Sequence, residues 1–318
     1  MRISPGLWNG RNILRVSYDC QYFGGSLLWG ILTRARHPQI KIARAQRLLE
    51  PGADGERLAP LLRQAKPIRG TGKVVYVSTA WALGPSGRAP GPSTPRDEAW
   101  SDEGPYLSAY HRSKAEAHRV ALRWRAQGLP VVTAMPNGVM GTNDHSSFGY
   151  FLRLTLLGQM PPMAWGGDAV YALVDVNALA EGLCLAAEKA RVGEDYLFCG
   201  PRQTLRELFD LWGRKTGKRV PRWYLPRWFM RPQMALMEPL QRLAGLPAFM
   251  SRDTVDATRA HLDYSSAKAQ RDLGWTHPDT SSMWDAIIKR ERELMAARHG
   301  FLDKLRHQPV VDAPAIPS

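Results

Sequence analysis

Two near-continuous apolar runs, Val74-Val75-Tyr76-Val77-Ser78-Thr79 and Leu129 to Met135 (LPVVTAM), constrain the fold more than anything else in the chain. β-Branched and apolar residues at successive positions mark strands covered on both faces, as in a parallel sheet. Between them lie a Pro/Gly/Ser-rich stretch, Gly84 to Pro95, read as a surface loop, and a segment from Ser108 to Gln127 that reads as a helix stopped by Gly128. Strand, loop, helix, strand is a βαβ unit, for which a right-handed crossover is expected.

Further elements follow downstream. A short strand is expected over Ala169 to Val176, a helix over Asn177 to Lys189, a strand over Tyr196 to Cys199 and a helix over Thr204 to Thr216. Arg219 to Tyr224 is basic and aromatic, and Leu225 to Met250 is rich in Met, Trp, Leu and Pro. A helix over Ser266 to Leu273 stops at Gly274, and a longer one spans Thr280 to His299. Upstream, Ile40 to Leu49 and Glu56 to Lys66 are weakly helical around Pro51 and Gly52. The tail after Gln308 holds three prolines and reads as disordered. The chain thus divides into an unmatched basic leader (1–70), an α/β catalytic portion (71–200), a smaller substrate-binding portion (201–308) and a tail (309–318).

Chemistry is suggested by Tyr110-His111-Arg112-Ser113-Lys114. Residues at i and i+4 share one helix face. A phenol with an ordinary pKa near 10 is a poor acid/base at neutral pH, and a neighbouring ammonium favours its ionised form. Such a pair suits proton transfer at a carbonyl or alcohol. A second match, Tyr264 to Lys268, shows that the spacing alone is weak. Context favours the first pair, which lies in a βαβ unit after a strand that ends on the hydroxyl of Thr79.

Composition closes off other classes. Cys20, Cys184 and Cys199 are few, far apart and without C-x-x-C spacing, so neither a disulfide framework nor a metal site is expected. No apolar run is long enough to span a bilayer, and the first residues lack the pattern of a secretory signal, which points to the cytoplasm. The net charge is +14, of which residues 1–73, with 13 Lys/Arg and 4 Asp/Glu, carry +9. No recognisable binding module accompanies this charge, so no nucleic-acid partner is expected.

The run VVYVSTAWALG, the acidic residues Asp97, Glu98, Asp102 and Glu103, then YHRSKAEAHRVA and LPVVTAMPNGVMG resemble the extended short-chain dehydrogenase/reductase (NAD-dependent epimerase/dehydratase) family. Within it the likeness is to dihydroflavonol-reductase-like and hopanoid-associated sugar-epimerase-like members. Val174-Asp175-Val176, Gly193 to Tyr196 and Ser265 to Ala269 with Leu273-Gly274-Trp275 extend the resemblance over about residues 72–295. It implies a Rossmann-like doubly wound parallel sheet with a smaller C-terminal substrate domain. It implies an NAD(P)-dependent oxidoreductase or epimerase acting on a small apolar or sugar-like substrate. Tyr110 would be the acid/base, Lys114 would bind the nicotinamide ribose and tune Tyr110, and Thr79 would hydrogen-bond the reacting oxygen. Pro136 to Val139 would lie beside the nicotinamide. Pairing of two copies through the helix bearing Tyr110 and Lys114 is a further implication. For Thr79, a cap on the strand end is the plainer alternative.

The sequence departs from this pattern at its start. The family's G-x-x-G-x-x-G turn, where the backbone meets the cofactor pyrophosphate, has no counterpart ahead of Val74. Two readings follow: an enzyme with a divergent leader, or a non-catalytic, truncated or frameshifted product that lacks dinucleotide binding. On the substrate side, the aromatic and Met-rich zone from Arg219 to Met250 suggests a bulky apolar substrate. Plain core packing and an interfacial membrane helix flanked by Arg222, Arg227 and Arg231 are the rivals.

Overall fold

The computed structural model describes residues 73–100 and 106–306. The expectations for residues 1–70 and for the tail after Gln308 lie outside the described residues, as do Asp102 and Glu103.

Strands β1 (Val74–Val77), β2 (Val131–Pro136) and β3 (Asp195–Phe198) form a parallel sheet in that order. Val75 lies opposite Val132, Val77 opposite Ala134, and Ala134 opposite Tyr196. Every residue of β2 is buried, as a central strand covered on both faces requires. Among the described residues no strand lies beyond β1. At β3, Glu98 of the acidic loop accepts the Leu197 N–H at 2.8 Å, so a carboxylate takes the place of a further strand there.

Around the sheet run α1 (Ala109–Ala126), α2 (Ser147–Leu156), α3 (Val176–Lys189), α4 (Leu205–Thr216), α5 (Arg227–Leu243), α6 (Arg252–Ala257), α7 (Ala267–Leu273), α8 (Thr280–Ala296) and α9 (Phe301–Arg306). Side chains alternate across the strands. Tyr76 and Val131 face Ala121 of α1. Val75, Val77, Val132 and Ala134 face Leu179, Leu183 and Ala186 of α3 on the other side. Met135 and Leu197 reach a larger core with Leu205, Trp212, Trp284 and Ile287, so the same hydrophobic cluster runs from the sheet into the C-terminal helices.

Local sequence sets the helix ends. Ser108 caps α1 by accepting the His111 N–H, and Thr204 and Glu207 form a reciprocal capping box on α4. Gly274, left-handed at φ 71°, ends α7. The strand expected over Ala169 to Val176 divides into Val170–Tyr171, paired with Gln203–Thr204, and Val174–Asp175, paired with Val139–Met140. The stretch from Gly84 to Pro95 is a loop pinned at its start. Gly87–Arg88 pairs antiparallel with Ala260–His261, and the Tyr264 hydroxyl donates to Gly84 O at 2.7 Å. α2 was not expected, and a helix in the zone of α5 was weighed only as the interfacial rival. α5 contains Pro232 and Pro239, which normally interrupt helices. Both are exposed, on the side away from the buried Met230 and Met234.

α2 is anchored by a buried charge. Arg153 is 0% exposed, donates from Nε to Leu305 O at 3.0 Å, and stacks 4.5 Å over the Tyr150 ring. Its Nη1 lies 3.7 Å from Glu291 of α8. Burial raises the Glu291 and Asp144 carboxyls, and Arg153 opposes that rise in both. Replacing Arg153 with Met strands both acids, so denaturant unfolding at neutral pH is expected to lose about 3–5 kcal/mol. The raised acids are relieved once protonated, so the loss shrinks as pH falls toward the carboxylate range. His145 works in the opposite sense. Burial, then Arg153 and Arg298, lower its pKa from 6.5 to about 4. The unfolded chain therefore takes up that proton first, and stability falls as pH drops from 6.5 to about 4. His145→Phe is expected to flatten this part of the profile in melts across the same range; an unchanged slope excludes His145 as its source.

Candidate active site

The C-terminal edge of the sheet carries the candidate groups. β1 runs into a 3₁₀ turn, Ala80–Leu83, at whose start Thr79 Oγ1 accepts the Trp81 N–H at 3.3 Å. The capping contact weighed for Thr79 is thus present. A hydroxyl is a donor as well as an acceptor, so this contact does not exhaust Thr79. Trp81 then meets the first turn of α1 edge-on, its ring centroid 6.4 Å from Tyr110 and 5.6 Å from His111.

His111 fixes the rotation of that turn. It is fully buried, lies 5.2 Å from the Tyr106 ring, and accepts the Leu107 N–H at Nδ1. With His111 turned inward, Tyr110 and Lys114 fall on the cleft side. Lys114 Nζ lies 5.4 Å from the Tyr110 ring centroid, so the i,i+4 pair meets as the spacing requires.

Thr79, Tyr110, Lys114, Pro136 and Val139 all line one cavity of about 350 Å³. That volume suits a small organic ligand. The structure thus brings together every site residue singled out in the sequence. The second pair does not join them. Tyr264 is buried against Gly84, and Lys268 pairs with Glu194 at 2.7 Å.

The rest of the lining was only partly legible. Met230, Met234, Met237 and Met250 come from the Met-rich zone and line the cavity, whereas Trp223, Trp228 and Phe229 of that zone stand exposed. Phe148 and Phe151 of α2, with Met160 and Trp165, complete the apolar wall and were not foreseen. Their signal was present: Ser146 caps a run, SFGYFLRLTL, that is apolar nearly all round, as a buried helix is. Asn137 was passed over inside a segment read for its neighbours.

Among the described residues that line the cavity, Lys114 is the one charged side chain. Polar groups gather at the sheet end. Asn137 donates from Nδ2 to Leu262 O at 2.9 Å, while its buried Oδ1 has no partner among the described residues. An orphaned acceptor beside a phenol, an ammonium and a hydroxyl fits the carboxamide and ribose of a nicotinamide. The segment that would meet a pyrophosphate, ahead of Lys73, lies outside the described residues. Among the described residues no group of three His, Cys, Asp or Glu is placed to hold a metal, and no helix is long and apolar enough to cross a membrane.

Known structures share this fold. No curated protein matches the sequence. Among solved structures, one of a protein named gox2253 is 25% identical, covers 79% of this chain and 77% of its own, and superposes with a TM-score of 0.58. A dTDP-glucose 4,6-dehydratase from Streptomyces venezuelae, with NAD bound, is 22% identical over 76% of this chain and 68% of its own, with a TM-score of 0.56. A UDP-glucose 4-epimerase from Thermotoga maritima, with UDP-glucose, is 20% identical over 77% and 72%, with a TM-score of 0.57. The fold is the Rossmann-like α/β fold of these enzymes. The sequence pattern of the NAD dependent epimerase/dehydratase family matches from before β1 to just past β3. Residues 51–199, a little under half of the chain, match the model of the NAD dependent epimerase/dehydratase family.

Proposed function

We propose that this chain is an NAD(P)-dependent oxidoreductase or epimerase that acts on a carbonyl or alcohol of a small apolar molecule. The observation that carries the reading is the shared cavity: Tyr110, Lys114 and Thr79 at one end, and a wall of Met and aromatic side chains at the other. A bound nicotinamide would supply or accept the hydride. Tyr110 would pass its hydroxyl proton to the substrate oxygen in the reducing direction, and take it back in the oxidising one. Lys114 would hold the ribose and stabilise the phenolate between turnovers. Thr79 would donate to the same substrate oxygen, and Asn137 Oδ1 would accept from the carboxamide.

An apolar substrate is preferred over a sugar nucleotide because of charge. A diphosphate needs cations or convergent N–H donors. Beyond Lys114, which the cofactor would occupy, the described lining offers no further cation. The proposed compartment is the cytosol, on three sparse cysteines, of which Cys184 and Cys199 are free. The missing glycine-rich turn favours the second reading, a chain that kept these residues and lost its cofactor.

Titration of the purified protein with NADH and NADPH, followed by nicotinamide fluorescence, separates the two. Saturable binding is expected; none up to millimolar levels leaves the non-catalytic reading standing. In a panel of cyclic apolar alcohols and sugar nucleotides, cofactor reduction is expected with the alcohols alone. With any active alcohol, Tyr110→Phe should lower kcat by about 10²–10⁴-fold and leave cofactor affinity nearly unchanged. A Tyr110→Phe protein with normal turnover removes Tyr110 from the chemistry.

A further inference from the structure

We infer that the outer face of α5, with the Trp223–Leu225 strand that leads into it, docks on an anionic phospholipid bilayer. The inference goes beyond the proposed reaction, because this surface is the same whether or not a cofactor binds.

α5 has three sides. Met230, Met234 and Gln241 are buried. Phe229, Leu236, Leu240 and Leu243, spaced seven, four and three apart, form an exposed apolar stripe, Leu240 at 50% and Leu243 at 85% exposure. Arg231 and Arg242 lie on the remaining side. Trp228, 76% exposed, stands at the helix start, its ring 6.0 Å from that of Phe229. Water-exposed apolar side chains of this size, in one row on one helix, call for a partner.

Charge identifies the partner. From Lys218 to Leu243 there are six cations (Lys218, Arg219, Arg222, Arg227, Arg231, Arg242) and one acid, Glu238; Arg227 pairs with Asp168 at 2.9 Å and Arg231 with Asp256 at 3.1 Å, so the surplus rests on Lys218, Arg219, Arg222 and Arg242. Just ahead of Trp223, a surface depression is lined by Arg214, Lys218, Arg219 and Arg222 around Gly217, with Asp210 as the acid beside it. Basic groups interleaved with exposed Trp, Phe and Leu suit a surface that is anionic outside and apolar within, which is a bilayer of acidic lipids. A second copy would bring the same cations against these. A nucleic acid would satisfy the cations and leave the leucines in water.

The cavity meets this face. Trp223 and Met163 are direct partners in a parallel pair, so their side chains point to the same face. Met163 is 43% exposed and also lines the cavity, as does the exposed Gln233 of α5. An apolar molecule dissolved in the bilayer would enter past these residues without crossing water.

Co-sedimentation of the full chain tests this with vesicles of phosphatidylcholine alone and of phosphatidylcholine with phosphatidylglycerol. Binding to the acidic vesicles, weak on neutral ones and reduced by added salt, is expected. At about 1 kcal/mol for each cation at the surface, Arg219→Glu with Arg222→Glu should weaken it by about 30-fold or more. Leu240→Glu with Leu243→Glu should weaken it by about tenfold or more with an unchanged melting temperature, since both side chains are exposed. Should that pair disturb folding, Leu243→Asn alone should still weaken binding. No binding to acidic vesicles overturns the inference. Binding that both double variants retain also overturns it, and assigns adhesion to another surface such as basic residues 1–73. Binding lost on charge reversal but kept by the leucine variants overturns it too, and marks a site for a free anion.

Discussion

Parallel pairing of Val74–Val77 with Val131–Pro136 decides where the candidate site groups of this protein end up. Two parallel neighbours must finish at the same edge. The chain therefore delivers Thr79 and Pro136 side by side, whatever lies between them in sequence. The crossover then has to return over one face of the sheet, and α1 does so with its capped first turn at that edge. Open α/β sheets bind their ligands outside the carboxyl ends of the strands for this reason. The cavity beside Thr79, Tyr110, Lys114, Pro136 and Val139 is the local instance.

Much of this was legible because local signals agreed with the global fold. The apolar runs gave β1 and β2 to within two residues. Ser108 and Gln127 flank α1 as its caps, and Gly274 stops α7 as expected. What escaped had physical causes. α5 carries two prolines, and sequence rules count each against a helix. Both lie on the exposed side, and the buried methionines beneath them override the penalty. α2 lacks a polar face, so its period is hard to see in a run of apolar residues. The division of labour inside Arg219 to Met250 was also hidden. Its methionines turn inward with Phe249, while Trp223, Trp228 and Phe229 stand outward, a choice set by tertiary packing rather than composition.

The methionine wall has its own logic. Unbranched thioether chains fill irregular space and repack at low cost. A cavity walled by four of them from α5 and the segment after it, facing Phe148 and Phe151, can adapt to ring systems of differing outline. At the sheet end the groups are fixed: His111 is locked by two rings and a hydrogen bond, and Asn137 is tethered to Leu262. A rigid end and a yielding end suit a cavity that holds one part of a ligand firmly and tolerates variation in the rest.

The seam between the loop after β1 and the strand near residue 261 carries a different lesson. Ser86 Oγ donates to His261 O at 3.0 Å and accepts the Asp263 N–H at 3.0 Å, across 175 and 177 residues of chain. Contacts at such separation form slowly, because a long segment must be ordered before they are rewarded. A nascent chain that has emerged only through β3 lacks the clasp that steadies the loop beside Trp81. The edge that carries the candidate site is therefore completed late, by residues made near the end of synthesis. A chain cut short before His261 lacks both contacts to Ser86.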